Sequence, residues 1–230
     1  MKSLSNLIKW DLILQTRYQI VPALFVITGL YLLLFWLIPA IRFEELIILV
    51  IFSDPALLGL TFIGALILFE KGDNTLDALV VTPMQDWQYL WSKAISLTLV
   101  FTLAAIVIAG FSLGWGFHYP LYISTVMLTS ILFIFVGIWL VAKTNSMNDY
   151  VIKVALALLP ISLPLLNLFG ITDTLAWYLL PSQASISLLQ ASFGKILPIW
   201  ELIYGYSYLL FAIGCFYALA RRSYHTYIVQ

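Results

Sequence analysis

Long stretches without a charged residue dominate this sequence. No Asp, Glu, Lys or Arg occurs between Lys93 and Lys143, and residues 20–41 form a second uncharged run. A helix that crosses a bilayer needs about 20 apolar residues, so runs of this length predict membrane-spanning helices. The chain is also only 10% charged, whereas soluble domains carry about 25% charged residues. The sequence therefore predicts an all-α membrane protein.

The interruptions in the apolar runs predict six crossings in one transmembrane domain, residues 1–230. The longest run divides at residues 114–120, where glycine and proline favour a turn. A further segment, 174–194, is apolar but broken at PSQAS, residues 181–185. We predict a short outer helix there, within an outer loop 172–199, with a seventh crossing as the alternative. The predicted crossings are 20–41, 46–69, 94–115, 119–142, 153–171 and 200–220.

The basic residues predict the orientation of these helices, because cytoplasmic loops are enriched in Lys and Arg. Arg42 and Lys195 fall on one side of the six predicted crossings. The other nine basic residues fall on the side of the two termini: Lys2, Lys9, Arg17, Lys71, Lys93, Lys143, Lys153, Arg221 and Arg222. We therefore expect both termini and the loop 70–93 to be cytoplasmic.

The cytoplasmic loop 70–93, EKGDNTLDALVVTPMQDWQYLWSK, is predicted to be ordered. Asn74 and Asp77 fit a helix cap of the N-x-x-D type, which predicts a short helix over residues 75–81. Thr82 and Pro83 fit the start of a second helix that leads into the third crossing, with Gln85 completing a T-x-x-Q box. Such a loop either docks on a cytosolic protein or anchors itself at the membrane interface, and the pattern alone leaves both interpretations open.

The same loop resembles the signature of ABC-2-type transporter permeases, an acidic residue followed by G-T-L-x-x-L-x-x-T-P, a hydrophobic patch and Lys. Asn74 stands where the signature has Gly. Residues 8–25 and 179–195 are also similar to small permease subunits of bacterial drug export systems, notably for fluoroquinolones. The matching loop residues are Glu70, Thr75, Leu76, Leu79, Thr82, Pro83, Tyr89, Leu90 and Lys93.

This resemblance implies an export subunit in the cell membrane of a bacterium. Two permease subunits, identical or different, would pair with two ATPase subunits. The loop between helices 2 and 3 would be the coupling helix that docks on the ATPase. An amphipathic helix over residues 1–19 would lie on the inner membrane surface. The docking residues carried over are Glu70, Asp73, Thr75, Leu76, Asp77, Leu79, Thr82, Pro83 and Lys93.

The chain carries no ATP-binding motif of the form G-x-x-x-x-G-K-[ST], so ATP and Mg²⁺ are expected on the partner ATPase and no cofactor on this chain. His118 and His225 fall on opposite sides of the membrane, which argues against a metal site or a catalytic triad. A formal net charge of zero gives no reason to expect nucleic acid as a partner. The alternative function is a non-pumping membrane anchor or assembly protein that binds a cytosolic partner through the loop 70–93.

Two polar residues lie inside predicted crossings. Asp54 is the only acidic residue well inside one, and intramembrane carboxylates are functional candidates by default. The competing interpretation is that Asp54 caps a helix that restarts at Pro55. Asn167 contributes either to the substrate path or to a hydrogen bond between helices. Few charges and many aromatic residues in the crossings favour a hydrophobic or amphipathic substrate.

Overall fold

The computed structural model describes residues 2–73, 85–114, 116–172 and 174–227, and these residues form helices without strands. Two short 3₁₀ segments, Pro39–Ile41 and Leu175–Leu179, lie between longer helices. The eight longer helices are α1 Lys2–Arg17, α2 Ile20–Leu37, α3 Glu44–Gly72, α4 Asp86–Leu113, α5 Tyr119–Ala142, α6 Met147–Leu168, α7 Pro181–Ser192 and α8 Ile199–Tyr227.

Six of these helices, α2 to α6 and α8, are long and apolar enough to cross a membrane. The predictions of an all-α protein and of six candidate crossings are therefore confirmed for the described residues. Helix α7 has only 12 residues, too few for a crossing, so the alternative of a seventh crossing is wrong. The orientation of the termini stays a prediction.

Helix α5 lies at the centre of the bundle and packs against α3, α4, α7 and α8. Its polar side chains bond to other helices: Tyr122 Oη donates to the carbonyl of Ala105 at 2.7 Å, and Thr129 Oγ1 donates to Ser185 Oγ at 2.9 Å. Hydrogen bonds of this kind contribute to helix association where water is absent. The short helix α7 is almost wholly buried by these contacts.

Several helix boundaries differ from the sequence prediction, two of them for a clear local reason. Helix α4 begins at Asp86 rather than at Pro83, the predicted start of the helix that leads into the third crossing, because Gln85 and Gln88 form a reciprocal capping box. Gln85 itself is extended, so it cannot be the third residue of a helix that starts at Pro83, and that part of the prediction was wrong. Helix α2 ends at Leu37 rather than at residue 41, because Pro39 starts a separate 3₁₀ turn.

Helices α3, α5 and α6 approach closely around one tyrosine. Tyr150 of α6 is fully buried, and its hydroxyl donates to the carbonyl of Leu60 in α3. Gly64 of α3 lies directly against the Tyr150 ring, and Gly137 of α5 lies against Ile63. Small residues allow such close contact between membrane helices, so these glycines set how the bundle packs.

Candidate functional site

Glu70 and Lys93, which flank the predicted docking element, meet inside the protein. Glu70 lies in the last turns of α3 and Lys93 near the start of α4, on either side of the segment 74–84. Lys93 forms ion pairs with Glu70 and with Asp11 of α1, whose Oδ1 lies 2.5 Å from Nζ. All three residues are buried, Lys93 with 1% of its surface exposed.

Tyrosines complete this arrangement. Tyr89 Oη donates to Glu70 Oε2 at 2.7 Å, and the Lys93 ammonium lies 5.1 Å from the Tyr89 ring centroid. Tyr224 of α8 stacks on Tyr89 with ring centroids 4.8 Å apart. We call Asp11, Glu70, Tyr89 and Lys93 the buried ion network. It joins α1, α3 and α4, and Tyr224 connects it to α8.

Burial makes the partners in the network interdependent. Removing a charge from water is costly, and the cost is recovered only when each ion has close partners of opposite charge. Lys93 is the single cation between two carboxylates, so both Asp11 and Glu70 depend on it. The network can therefore hold α1, α3 and α4 in one arrangement. Displacing one of these helices would then also displace the other two.

Helix α1 and Tyr18, the residue that follows it, make two further polar contacts. Gln15 Nε2 donates to Ser96 Oγ of α4 at 2.7 Å, and Tyr18 Oη donates to Asp73 Oδ2 at 2.7 Å. Burial and this hydrogen bond raise the pKa of Tyr18 to about 12, so its hydroxyl remains a donor at neutral pH. Asp73, another predicted docking residue, is thus tied to α1 at the end of α3.

The other predicted docking residues, Thr75, Leu76, Asp77, Leu79, Thr82 and Pro83, lie outside the described residues. The chain enters and leaves that segment at Asp73 and Gln85. Next to its exit, Asp86 Oδ2 lies 3.3 Å from His225 Nδ1 of α8. The described ends of the loop are therefore both attached to neighbouring helices, α1 at the entrance and α8 at the exit.

Asp54 is buried in the middle of α3, with 1% of its surface exposed. Its backbone is helical, and residues Asp54–Leu58 form a π-helical turn in which the Gly59 N–H bonds to the Asp54 carbonyl. The helix thus continues through Pro55 instead of restarting. Neither Asp54 carboxylate oxygen has a hydrogen-bond partner among the described residues. The interpretation of Asp54 as a helix cap was therefore wrong.

Asn167 lies in the last short turn of α6, after Pro164. It lines a cavity that α7 and the start of α8 also border, and Asp54 is not among the residues that line this cavity. This cavity thus does not join the two polar candidates of the substrate path. Within the described ranges, no three His, Cys, Asp or Glu residues are grouped closely enough to hold a metal ion.

Sequence reasoning missed that Asp11 belongs to the site. Asp11 interrupts the apolar face of the predicted N-terminal surface helix, residues 1–19. Asp11, Gln15 and Tyr18 follow one another at four and three residues, which places them on one face of a helix. The available signal was this row of polar residues at helical spacing, in a chain where Glu70 and Lys93 border the apolar runs.

Comparison with known proteins gives two findings. A sequence model of the fluoroquinolones export permease protein family matches residues 2–230. The chain is also 29% identical, over 186 residues, to proteins named fluoroquinolones export permease protein in two strains of Mycobacterium tuberculosis, CDC 1551 / Oshkosh and ATCC 25618 / H37Rv. Each alignment covers 79% of this chain and 77% of the relative.

Proposed function

The chain belongs to the fluoroquinolones export permease protein family, and from this we propose that it is the membrane subunit of an ATP-driven exporter of the ABC-2 type. Its six apolar helices make it a multi-pass membrane protein. Two ATPase subunits would bind and hydrolyse ATP with Mg²⁺, and a second permease chain, identical or different, would complete the channel in the bacterial cell membrane.

The buried ion network is the observation that carries the proposed mechanism. The ATPase would dock on the cytoplasmic loop 70–93, and the network lies at the base of that loop, between Glu70 and Lys93. Movement of the docked loop would therefore displace α3 and α4 together. The ion pair between Lys93 and Asp11 would transmit this displacement to α1. Rigid-body motion of this kind underlies alternating access in transporters.

The proposed substrate is an amphipathic, drug-sized molecule of the fluoroquinolone class. The names of the matched relatives support this class. The candidate crossings also support it, because their outer surfaces are apolar and the buried charges of α3 and α4 are largely paired within the protein. A molecule with an apolar ring system can enter such a bundle from the bilayer.

The docking proposal is tested by replacing Leu76 and Leu79 with Glu. Both residues lie on the apolar side of the predicted coupling helix, and burying a carboxylate in a protein interface is strongly unfavourable. We expect tagged wild-type protein, extracted gently and analysed by mass spectrometry, to bring down a soluble protein with an ATP-binding motif. The Leu76→Glu/Leu79→Glu variant should recover at least about tenfold less of it.

A matched control carries the same change at the opposite end of the bundle. Leu175 is 87% exposed in the 3₁₀ segment before α7, and Leu175→Glu should leave ATPase recovery unchanged. If the wild-type protein brings down only partners without ATPase motifs, even after cross-linking, the chain is an anchor for another protein and the exporter proposal is wrong.

A further inference from the structure

A polar cavity of about 330 Å³ lies at the end of the bundle opposite the buried ion network. The end of α6, the short helix α7 and the first turn of α8 enclose it. Its volume is within the range of pockets that bind drug-sized ligands, roughly 300–1,000 Å³. Unlike the outer surface of the helices, its lining is rich in polar groups: Asn167, Gln183, Ser187, Gln190, Lys195 and Glu201.

One lining residue has an unmet hydrogen bond. Gln183 is 4% exposed, and its Nε2 donates to Ser187 Oγ at 3.2 Å. Its carbonyl oxygen, Oε1, is buried and has no partner among the described residues. Leaving a buried acceptor unpaired has a free-energy cost, because the group has lost its hydrogen bond to water. A ligand with an N–H or O–H group in the cavity would remove that cost.

The charges of the lining indicate the kind of ligand. Lys195 and Glu201 contribute one positive and one negative charge, and the other four polar residues are neutral. Each charged group is bonded to a neutral partner: Lys195 Nζ donates to Gln190 Oε1, and Tyr178 Oη donates to Glu201 Oε1, both at 3.0 Å. A ligand with a net charge would be repelled by one of these residues, whereas a zwitterion can pair with both.

We propose that this cavity binds a zwitterionic amphiphile, with its carboxylate at Lys195, its ammonium at Glu201 and a donor group at Gln183. This inference rests on the proposed export function, in which the cavity lies at the outer face. The exported molecule would occupy it after crossing the bundle and before release. Lys195 and Glu201 would then be specificity residues for molecules that carry both charges.

The test uses norfloxacin, a fluorescent fluoroquinolone that is zwitterionic at neutral pH, and the full-length protein in lipid nanodiscs. We expect saturable binding to wild-type protein. Lys195→Gln and Glu201→Gln should each weaken binding about tenfold, the effect of losing one charge-assisted hydrogen bond. Lys153→Gln removes a Lys that pairs with Asp149, away from the cavity, and should leave the affinity unchanged.

Two modified ligands identify which charge each residue contacts. Norfloxacin methyl ester lacks the carboxylate, so Lys195→Gln should no longer affect its binding. N-acetyl norfloxacin lacks the ammonium, so Glu201→Gln should no longer affect its binding. Ser187→Phe fills the cavity and should abolish binding of all three ligands. Thermal unfolding of each variant confirms that it is folded.

Equal norfloxacin affinity in wild-type, Lys195→Gln, Glu201→Gln and Ser187→Phe proteins would overturn the proposal, as would the absence of binding to the wild-type protein. The outcome is separable from that of the export proposal. Selective loss of binding without any ATP-driven norfloxacin transport supports the cavity and contradicts the exporter. Transport with unchanged binding in every cavity variant supports the exporter and contradicts the cavity.

Discussion

Replacing Lys93 with Met is expected to destabilise the protein by about 3–5 kcal/mol, the usual cost of removing one partner from a buried ion pair. The variant leaves Asp11 and Glu70 buried without their common cation, while Met preserves most of the side-chain volume. The measurement is reversible unfolding in mixed detergent micelles, followed by tryptophan fluorescence. Failure of the Lys93→Met variant to fold at all would also support the prediction, as a larger loss of the same stability.

Two further variants separate loss of pairing from loss of a lysine. Lys153 pairs with Asp149 at 2.8 Å on the surface of α6, and exposed pairs of this spacing contribute only about 0.3–0.5 kcal/mol, so Lys153→Met should be nearly neutral. The triple variant Asp11→Asn/Glu70→Gln/Lys93→Met leaves no charge in the buried ion network and should recover most of the lost stability. Equal stability of Lys93→Met and Lys153→Met would contradict the buried ion network.

A single methyl group at Gly64 should have the second largest effect. A Cβ built at this position overlaps the ring of Tyr150, and Tyr150 is fully buried and bonded to Leu60, so it has no free space to move into. We expect Gly64→Ala to cost about 3 kcal/mol, the upper part of the range for overpacked cores. Unfolding in mixed micelles measures this cost, and proteolysis detects the separation of α3 from α6.

Gly29 of α2 is the matched control, because a Cβ there meets no atom within 4 Å. Gly29→Ala should be neutral or stabilising by up to about 1 kcal/mol, since Ala favours a helix over Gly. Tyr150→Leu frees space beside Gly64, so it should reduce the cost of Gly64→Ala when the two changes are combined. A cost for Gly64→Ala no larger than that for Gly29→Ala would refute the close contact.

The number and type of helices were predictable from the sequence because they depend on local properties. Apolar runs and turn residues mark each candidate crossing, and PSQAS correctly favoured a short helix over a seventh crossing. Boundaries were less predictable where a charged residue is buried. Lys93 was placed just outside the predicted crossing 94–115, yet its carboxylate partners allow it to be buried within α4.

The partners within the candidate site were not predictable from local patterns. Lys93 and Asp11 are 82 residues apart in the chain, and periodicity gives no information about contacts at that distance. The cavity was also missed, although its lining residues all lie between Asn167 and Glu201, because periodicity does not show how the short helices of that stretch fold back on one another. The π turn at Asp54 was also missed, since Pro55 suggested a break and the neighbouring helices instead keep α3 continuous.

The most direct test of the central proposal is ATP-driven uptake of norfloxacin into inside-out membrane vesicles that contain this protein and its captured ATPase. The account predicts accumulation that requires hydrolysable ATP with Mg²⁺, persists when the proton gradient is collapsed, and is lost in Leu76→Glu/Leu79→Glu. Uptake without ATP that follows the proton gradient, or ATP-dependent uptake that is equal in vesicles lacking this chain, would contradict it.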